Sequence, residues 1–223
     1  ILIIANLFGL IDDIFWQKRS SINLFVKILF QIALAVLFVY SQAVGELSLP
    51  TALLTGFAFL FILNASNMQD GLDGLLSGIA CISASGFFIF FLLHGHSLEI
   101  TFSALLAGVT IGFLVFNFPP ARLFMGDNGS YLIGTAFSIL VLLVIKEAGI
   151  RALLPALLLI GMPIVNGVFV CIRRLTAGKS PLVGDRLHLY DMIHAAVSSP
   201  TRTLTLNYVL HALFVSIGLT LLL

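Results

Sequence analysis

Seven long stretches without a charged residue dominate this sequence. We predict one membrane span for each stretch, with the approximate bounds 22–40, 49–66, 75–93, 99–118, 130–145, 152–172 and 204–223. Each is close to the ~20 apolar residues that a helix needs to cross a bilayer. Of the 223 residues, 60% are hydrophobic and 9% are charged, which excludes a water-soluble globular enzyme, a disordered chain and a nucleic-acid binder. We therefore predict an all-α fold, a polytopic membrane helix bundle.

The segment before the first predicted span, residues 1–11, is apolar but too short to cross a membrane alone. We expect it to be the tail of a truncated span, so that 1–223 is a single transmembrane domain and the C-terminal portion of a longer protein. Seven crossings would place four loops on one side of the membrane. Their approximate bounds are 12–21, 67–74, 119–129 and 173–203.

Charged residues are distributed unequally between the two predicted sides. Eight Lys and Arg lie in the loops of that side and two on the other, so the positive-inside rule makes that side cytoplasmic. All seven Asp lie on it, and all three Glu lie on the opposite side. Because acidic groups near a membrane are costly, this distribution indicates a shared site at the cytoplasmic face.

Candidate residues begin with the adjacent carboxylates Asp12 and Asp13, which repel each other unless they share a cation or a basic substrate group. Asn23, Lys27 and Gln31 then follow a four-residue spacing, so they form one polar stripe on an apolar helix. We expect this stripe to face the bundle interior, with Lys27 placed to bind an anionic headgroup. A solvated helix end for the two Asp, and a Lys27 that extends to the interface, are the structural alternatives.

The second cytoplasmic loop contains oxygen donors at every third residue. Such donors suit Mg²⁺ and a substrate with phosphates and hydroxyls; they are Asn64, Asn67, Asp70 and Asp73. In the third loop, Asp127 is a candidate metal ligand that lies between glycines at the start of a predicted helix, whose N-terminal N–H groups favour anions. Phe124 could stack on a base, although ordinary packing at the interface explains it equally well.

The last loop supplies basic residues and a histidine. Arg174, Lys179 and Arg186 are suited to binding a diphosphate, and His188 could be a hydrogen-bond donor or an acid. A positive-inside loop without chemistry is the alternative for the basic residues. For His211, inside the last span, we expect a packed interior hydrogen bond.

In order along the chain, four patterns resemble a known family: D-D, N-x-x-N-x-x-D-G-x-D-G-L, P-A-R-x-F-M-G-D-x-G-S and G-x-S-P-x-x-x-D-R-x-H. They are similar to the polyprenyl-phosphate N-acetylhexosamine-1-phosphate transferases, of glycosyltransferase family 4. The resemblance implies a multi-span helical enzyme. It would transfer a sugar 1-phosphate from a UDP-sugar to undecaprenyl phosphate and release UMP, with Mg²⁺ or Mn²⁺, as the first membrane step of cell-surface glycan synthesis.

Carried over by motif, the resemblance implies roles for particular residues. Asp127 would bind Mg²⁺, Phe124 would stack near uracil, and His188 would contact the diphosphate. Asp12 or Asp13 would serve the attacking lipid phosphate beside Lys27, and Asn67, Asp70 and Asp73 would form the nucleotide and metal site. We thus expect Asp13, Asp70 and Asp127 to share one divalent ion. The resemblance also implies a protein of the bacterial inner (plasma) membrane, which can form a homodimer.

This chain departs from the family pattern at three positions. The family loop often reads D-R-x-H-x-H-H, and here Tyr190 and Asp191 take the places of the second and third His. Asn166 takes the place of an Asp that is common in the family. These differences concern the contacts to the diphosphate and the sugar more than the class of reaction.

Two other functions are compatible with parts of the pattern. A membrane transporter or scaffold without catalysis would also be a helix bundle, but transporters tend to place charges within their spans. The Gly126–Asp127 pair is also similar to the G-x-G-D motif of intramembrane aspartyl proteases. No second Asp lies inside a predicted span to complete such a pair of acids.

Overall fold

The computed structural model describes residues 1–16, 22–42, 48–180 and 187–223. Within these ranges the chain is helical and has no strand, which confirms the all-α prediction. A π-helical turn, Asp12–Trp16, continues the first helix, and a 3₁₀ turn, Ile150–Ala152, precedes the seventh. The α-helices are α1 (Leu2–Ile11), α2 (Ile22–Gln42), α3 (Leu49–Gln69), α4 (Leu75–His94), α5 (Ser97–Asn117), α6 (Gly126–Ala148), α7 (Leu153–Leu158), α8 (Gly161–Thr176), α9 (Leu189–Val197) and α10 (Pro200–Leu222).

Five of the described helices are long and apolar enough to cross a membrane, namely α3, α4, α5, α6 and α10. The apolar part of α2, Phe25–Ser41, is shorter. The segment Ile150–Leu158 together with α8 would make a sixth span, but the two parts are bent by 90°. The structure therefore confirms a polytopic membrane bundle with five or six apolar spans among the described residues, and it does not confirm the predicted count of seven.

The predicted span 152–172 is the element that differs most from expectation. It is broken after Leu158, and α8 starts in a new direction at Gly161. Pro163 supplies the reason, because it has no N–H to donate and its ring clashes with the carbonyl group four residues earlier in a continuous helix. In the first turn of α8 that N–H has no intrahelical partner to lose, so proline is tolerated there.

Contacts along the chain group the residues into two compact units. The first consists of Ile1–Asn67 and Met125–Ser138, and thus of α1, α2, most of α3 and the first half of α6. Its core contains stacked aromatic rings: Phe8 stacks on Phe30 with ring centroids 4.7 Å apart and on Tyr131 at 5.5 Å. This stacking joins α1 to α2 and to the start of α6.

Glycines let the helices of the first unit approach closely. A Cβ atom at Gly9 would overlap the backbone of Asn128, and one at Gly134 would lie 2.8 Å from the Cα of Leu63. The first turn of α6 is therefore packed directly against α1, and α3 is packed directly against α6 at Gly134. This packing fixes the position of the backbone at Asp127.

The second unit consists of Met68–Phe124 and Ile139–Leu223. Its central helix is α4, two thirds of which is buried, and its core cluster is Leu75, Ile79, Met162, Tyr190 and Leu204. Two further close approaches place Tyr208 against Gly78 and Phe214 against Gly161. Helix α10 therefore packs against both α4 and the start of α8.

His211 is fully buried in this second unit. Its Nε2 lies 2.8 Å from the hydroxyl of Ser83, and its Nδ1 accepts a hydrogen bond from the backbone N–H of Met162 at 3.4 Å. The expectation of a packed interior hydrogen bond for His211 is confirmed. The hydrogen bond from Met162 to His211 also connects the start of α8, directly after the break, to α10.

Candidate functional site

A lysine of the first unit joins two carboxylates that are 115 residues apart in the sequence. The Nζ of Lys27 lies 2.6 Å from Oδ2 of Asp12 and 2.9 Å from Oδ2 of Asp127. Lys27 comes from α2, Asp12 from the π-helical turn and Asp127 from the first turn of α6. Because charged groups near a membrane are costly, three of them in contact indicate a functional site, which we call the Lys27 cluster.

Neutral side chains orient both carboxylates of the Lys27 cluster. The Nδ2 of Asn67 donates to Oδ1 of Asp127 at 2.6 Å and to the hydroxyl of Ser130 at 2.9 Å. The hydroxyl of Tyr131 donates to Oδ2 of Asp12 at 3.3 Å. Both oxygens of Asp127 are therefore held, one by a cation and one by an amide.

The position of Asp12 changes its acidity. Its side chain is 6% exposed, and burial together with a hydrogen bond to Asp127 raises the pKa of Asp12 to about 6, while Lys27 opposes this shift. The physical cause is that a carboxylate in a poorly solvated place beside a second carboxylate favours its neutral form. Asp12 therefore binds a proton at a higher pH than an ordinary aspartate does.

The predicted polar stripe on α2 faces the interior of the first unit. Gln31 is buried and forms two reciprocal amide hydrogen bonds with Asn64, at 3.1 and 3.0 Å. Its Nε2 also donates to the hydroxyl of Tyr131 at 3.3 Å. The prediction is confirmed for Gln31 and Lys27, whereas the side chain of Asn23 lies outside the described residues.

Asp13 has a structural partner that the sequence analysis missed. One of its carboxylate oxygens accepts from the backbone N–H of Asp127 at 3.1 Å, and the other accepts from that of Asn128 at 3.1 Å. Asp13 therefore caps the N-terminus of α6, where backbone N–H groups lack partners within the helix. The sequence contained a signal for this cap, because the Gly126–Asp127 pair at a predicted helix start leaves backbone N–H groups that need acceptors. The catalytic and metal roles stay predictions.

The predicted site of three acids can be compared with these contacts. Among the residues that the structure describes, no three His, Cys, Asp or Glu side chains are placed to hold a metal ion together. Asp13 is engaged by backbone N–H groups, and Asp70 belongs to the second unit. Asp12 and Asp127 fit a magnesium ion in another way, because this ion is usually bound by one or two carboxylates plus substrate phosphates.

In the second unit, hydrogen bonds hold the turn at Asp73 and Gly74 from several sides. Oδ2 of Asp73 accepts from the backbone N–H of Ala121 at 3.1 Å, and the N–H of Gly74 donates to Oδ1 of Asn117 at 3.0 Å. Gly74 has a φ of +79°, a conformation that glycine adopts without strain. The hydroxyl of Tyr208 donates to its carbonyl oxygen. The second and third motifs are thus joined within this unit.

A cavity of about 580 Å³ lies beside this turn. Asp73, Pro119, Pro120, His194 and Thr201 contribute to its wall. Its volume falls within the range of small-molecule sites, and it combines apolar rings with a carboxylate and an imidazole. The sequence analysis did not include His194, whose Nδ1 lies 3.0 Å from the hydroxyl of Thr203.

His188 lies at the start of α9 in the second unit, where it is 7% exposed. Its ring stacks on that of Tyr190, with centroids 5.1 Å apart, and its backbone N–H donates to Oδ2 of Asp191 at 2.9 Å. Tyr190 in turn lies against Gly71, where an added Cβ would overlap its hydroxyl. The two residues that replace histidines of the family pattern therefore orient the remaining one.

Three other predicted residues lie in the described part of the second unit. The side chain of Phe124 is 75% exposed, Arg174 is 2% exposed and Lys179 is exposed. The backbone N–H of Lys179 donates to the carbonyl oxygen of Arg174 at 2.8 Å. Arg186 lies outside the described residues. Roles for these four in substrate binding stay predictions.

Comparison with known proteins decides the family. A family pattern described as glycosyl transferase family 4 matches residues 1–145, which is more than half of the chain. The chain belongs to this family. The matched segment contains the whole Lys27 cluster with Asn67, whereas His188 lies beyond it.

Three relatives illustrate the similarity. A probable undecaprenyl-phosphate N-acetylglucosaminyl 1-phosphate transferase of Bacillus subtilis is 29% identical over 92% of this chain and 60% of its own length. An undecaprenyl-phosphate alpha-N-acetylglucosaminyl 1-phosphate transferase of Yersinia pestis is 32% identical over 94% and 61%. A decaprenyl-phosphate N-acetylglucosaminephosphotransferase of Mycolicibacterium smegmatis is 34% identical over 79% and 49%. This family member thus spans about half to three fifths of the length of these relatives, which are named as transferases and not as transporters or proteases.

Proposed function

We propose that this family member transfers a sugar 1-phosphate from a UDP-sugar to a polyprenyl phosphate and releases UMP. The observation that carries the proposal is the Lys27 cluster, in which one ammonium group holds two carboxylates inside a chain of this family. N-acetylglucosamine 1-phosphate is the proposed group, because three relatives carry this sugar in their names. Undecaprenyl phosphate is the proposed acceptor, which two of these names contain.

The reaction must bring two anions together. An oxygen of the polyprenyl phosphate attacks the β-phosphorus of the UDP-sugar, the bond from this phosphorus to the bridging oxygen breaks, and that oxygen leaves with UMP. Positioning and charge stabilisation are the main contributions of a protein to phosphoryl transfer. Lys27 supplies positive charge at a position fixed by Asp12 and Asp127, so it is suited to hold one of the incoming phosphates.

Asp12 is the better candidate than Asp13 for serving the attacking lipid phosphate. The carboxylate of Asp12 contacts Lys27, whereas both oxygens of Asp13 accept backbone N–H groups of α6. We propose Mg²⁺, or Mn²⁺, as the cofactor, held by Asp127 with Asp12. When bound, the ion would supply positive charge to the diphosphate. Asp70 and Asp73 are kept as proposed contacts of the nucleotide on their motif.

We further propose that the reacting groups face the cytoplasm, so that this is a first membrane step of cell-surface glycan synthesis in the bacterial plasma membrane. Two facts support this orientation. The predicted loops on the side of Asp12 and Asp127 carry eight of the ten Lys and Arg found in loops. The described helices also include five apolar spans that would fix such an orientation.

The test uses membranes from cells that express the protein, supplied with undecaprenyl phosphate and UDP-N-acetylglucosamine, and it measures UMP release. We expect release that depends on both substrates and that falls on the order of 1,000-fold in Asp127→Asn, in the range known for lost electrostatic stabilisation. Glu99→Gln is the matched control. Like Asp127→Asn, it removes one carboxylate from the first turn of an apolar helix, here α5.

Two results would overturn the proposal. One is the absence of UMP release with UDP-N-acetylglucosamine and with other UDP-N-acetyl sugars under conditions where the protein is folded. The other is full turnover in Asp127→Asn. Activity with a different UDP-sugar would correct only the sugar, and a phosphorylated Asp12 on the reaction path would replace the single displacement with a two-step transfer.

A further inference from the structure

Asn166 of α8 is completely buried, and its amide contacts the polypeptide near two motifs of the second unit. Its Oδ1 accepts from the backbone N–H of Leu189 at 3.0 Å. Its Nδ2 donates to the backbone carbonyl oxygen of Met68 at 3.4 Å and lies 3.4 Å from Nδ1 of His188. None of the motifs in the sequence includes Asn166, and the reaction proposed above assigns it no part.

The orientation of this amide is determined by its two backbone partners. A backbone N–H can only donate, so it must face the amide oxygen, and a backbone carbonyl can only accept, so it must face the amide nitrogen. Leu189 and Met68 therefore fix independently which end of the Asn166 side chain carries the hydrogens. The nitrogen that faces His188 is a donor.

This donor determines which form of the His188 ring fits. A hydrogen bond from Nδ2 of Asn166 requires a lone pair on Nδ1 of His188, so the proton of the neutral ring must be on Nε2. An imidazolium ion carries hydrogens on both nitrogens, and its Nδ1–H would point at the amide hydrogens. The amide thus favours one neutral tautomer over the other and over the cation.

The start of α9 fixes the main chain at His188. The backbone N–H of His188 donates to Oδ2 of Asp191 at 2.9 Å, and the backbone N–H of Asp191 donates to the carbonyl oxygen of His188 at 3.1 Å. The stacked ring of Tyr190 limits rotation of the imidazole out of this position.

We propose that Asn166 is a positioning residue that holds His188 as a neutral hydrogen-bond donor through Nε2. In the transfer reaction, on which this role rests, His188 then donates a hydrogen bond to a substrate oxygen and does not transfer a proton. This decides between the two functions, donor or acid, that the sequence leaves open for His188. An aspartate at position 166 would instead accept from Nδ1–H and place the proton on the opposite nitrogen.

The first test needs no substrate, so its result does not depend on the proposed transfer reaction. The protein is prepared with ring-¹⁵N histidine, and nuclear magnetic resonance reports which ring nitrogen of His188 carries the proton. The signals are assigned by their loss in His188→Gln. We expect the proton on Nε2 in the wild type and on Nδ1 in Asn166→Asp. A wild-type proton on Nδ1, or an unchanged tautomer in Asn166→Asp, would overturn the proposal.

The second test measures UMP release. We expect Asn166→Asp to lower kcat by about tenfold or more, as is common when a partner that orients a functional histidine is changed. His188→Gln should keep more activity than His188→Asn, because a glutamine amide can place an N–H near the position of Nε2–H. Equal loss in the two His188 variants would contradict a donor role.

A double-mutant cycle separates tautomer control from general damage to the fold. If Asn166 acts through the ring of His188, then Asn166→Asp should cost less in a His188→Gln background, where no tautomer exists, than in the wild type. Strictly additive losses would mean that Asn166 acts only on the fold, and the proposal would fail. Asn166→Leu in the His188→Gln background, where no tautomer exists, shows how much activity depends on the fold alone.

Discussion

The two units bind their polar groups in different ways. In the first unit, Lys27 joins two carboxylates, so formal charges are in direct contact. In the described part of the second, hydrogen bonds near the motifs involve neutral amides, imidazoles and hydroxyls, as at Asn117, Asn166 and His211. Charges can attract phosphates and a metal ion, whereas neutral networks fix geometry. We therefore expect changes in the Lys27 cluster to affect turnover most, and changes in the neutral networks to affect orientation and stability.

Lys27→Met should have the largest effect on turnover among the following changes. It removes the ammonium group that contacts Asp12 and Asp127, and it leaves two neighbouring carboxylates to repel each other. We expect UMP release to fall about 100- to 1,000-fold. Lys27→Arg, which keeps the charge but changes the geometry, serves as the control. A fall in UMP release of less than tenfold in Lys27→Met would contradict the idea that the charged contacts of the first unit affect turnover most.

Asn67→Ala should have the next largest effect, because Asp127 loses the amide that orients its Oδ1. A loss of about 10- to 100-fold in kcat is expected. Asn64→Ala is a matched control on the same helix, since Asn64 bonds to Gln31 and to a backbone carbonyl and not to Asp127. If the two variants had equal kcat values, the amide of Asn67 would have no special role in orienting Asp127.

Asp13→Ala should affect stability more clearly than turnover. The variant removes the cap of α6, and losing a cap costs about 1 kcal/mol of folding free energy. Thermal unfolding in detergent measures this cost, and UMP release measured in parallel should fall far less than in Asp127→Asn. A loss of turnover as large as that of Asp127→Asn would return Asp13 to the catalytic role that the sequence suggested.

Ser83→Ala should have the smallest effect on turnover. His211 loses the hydroxyl next to its Nε2, and an unpaired buried polar group costs about 1–3 kcal/mol of stability. The kcat and KM should stay at wild-type values at temperatures where the variant is folded. Ser85→Ala is the control, because its hydroxyl donates to the carbonyl oxygen of Cys81, one turn earlier in its own helix. A large change in kcat in Ser83→Ala would mean that the neutral network around His211 also contributes to catalysis.

Much of the fold could be predicted because burial in lipid restricts composition strongly. The spans predicted at 75–93 and 99–118 correspond to α4, Leu75–His94, and α5, Ser97–Asn117. The span predicted at 152–172 is the exception, because the absence of charge does not distinguish a straight helix from one broken before Pro163. The proline itself was the available signal.

The candidate site could be predicted in part. Residue type and order identified Asp12, Lys27, Asn67 and Asp127, because few side chains suit a cation and a phosphate at a membrane surface. They did not separate Asp12 from Asp13, since adjacent carboxylates look alike until one is seen to accept N–H groups of α6. They also gave no role to Asn166, because its partners are two backbone groups and a ring on distant segments.

By itself, the sequence determined that this protein is helical, lies in a membrane and belongs to a family of phosphosugar transferases. These properties depend on composition and on local patterns, which can be read residue by residue. Only the tertiary structure decided which of the two adjacent carboxylates contacts Lys27, which one caps a helix, and that the Asn166 amide lies beside His188. Those contacts join segments far apart in the chain, and several of them involve backbone groups that have no signature in the sequence.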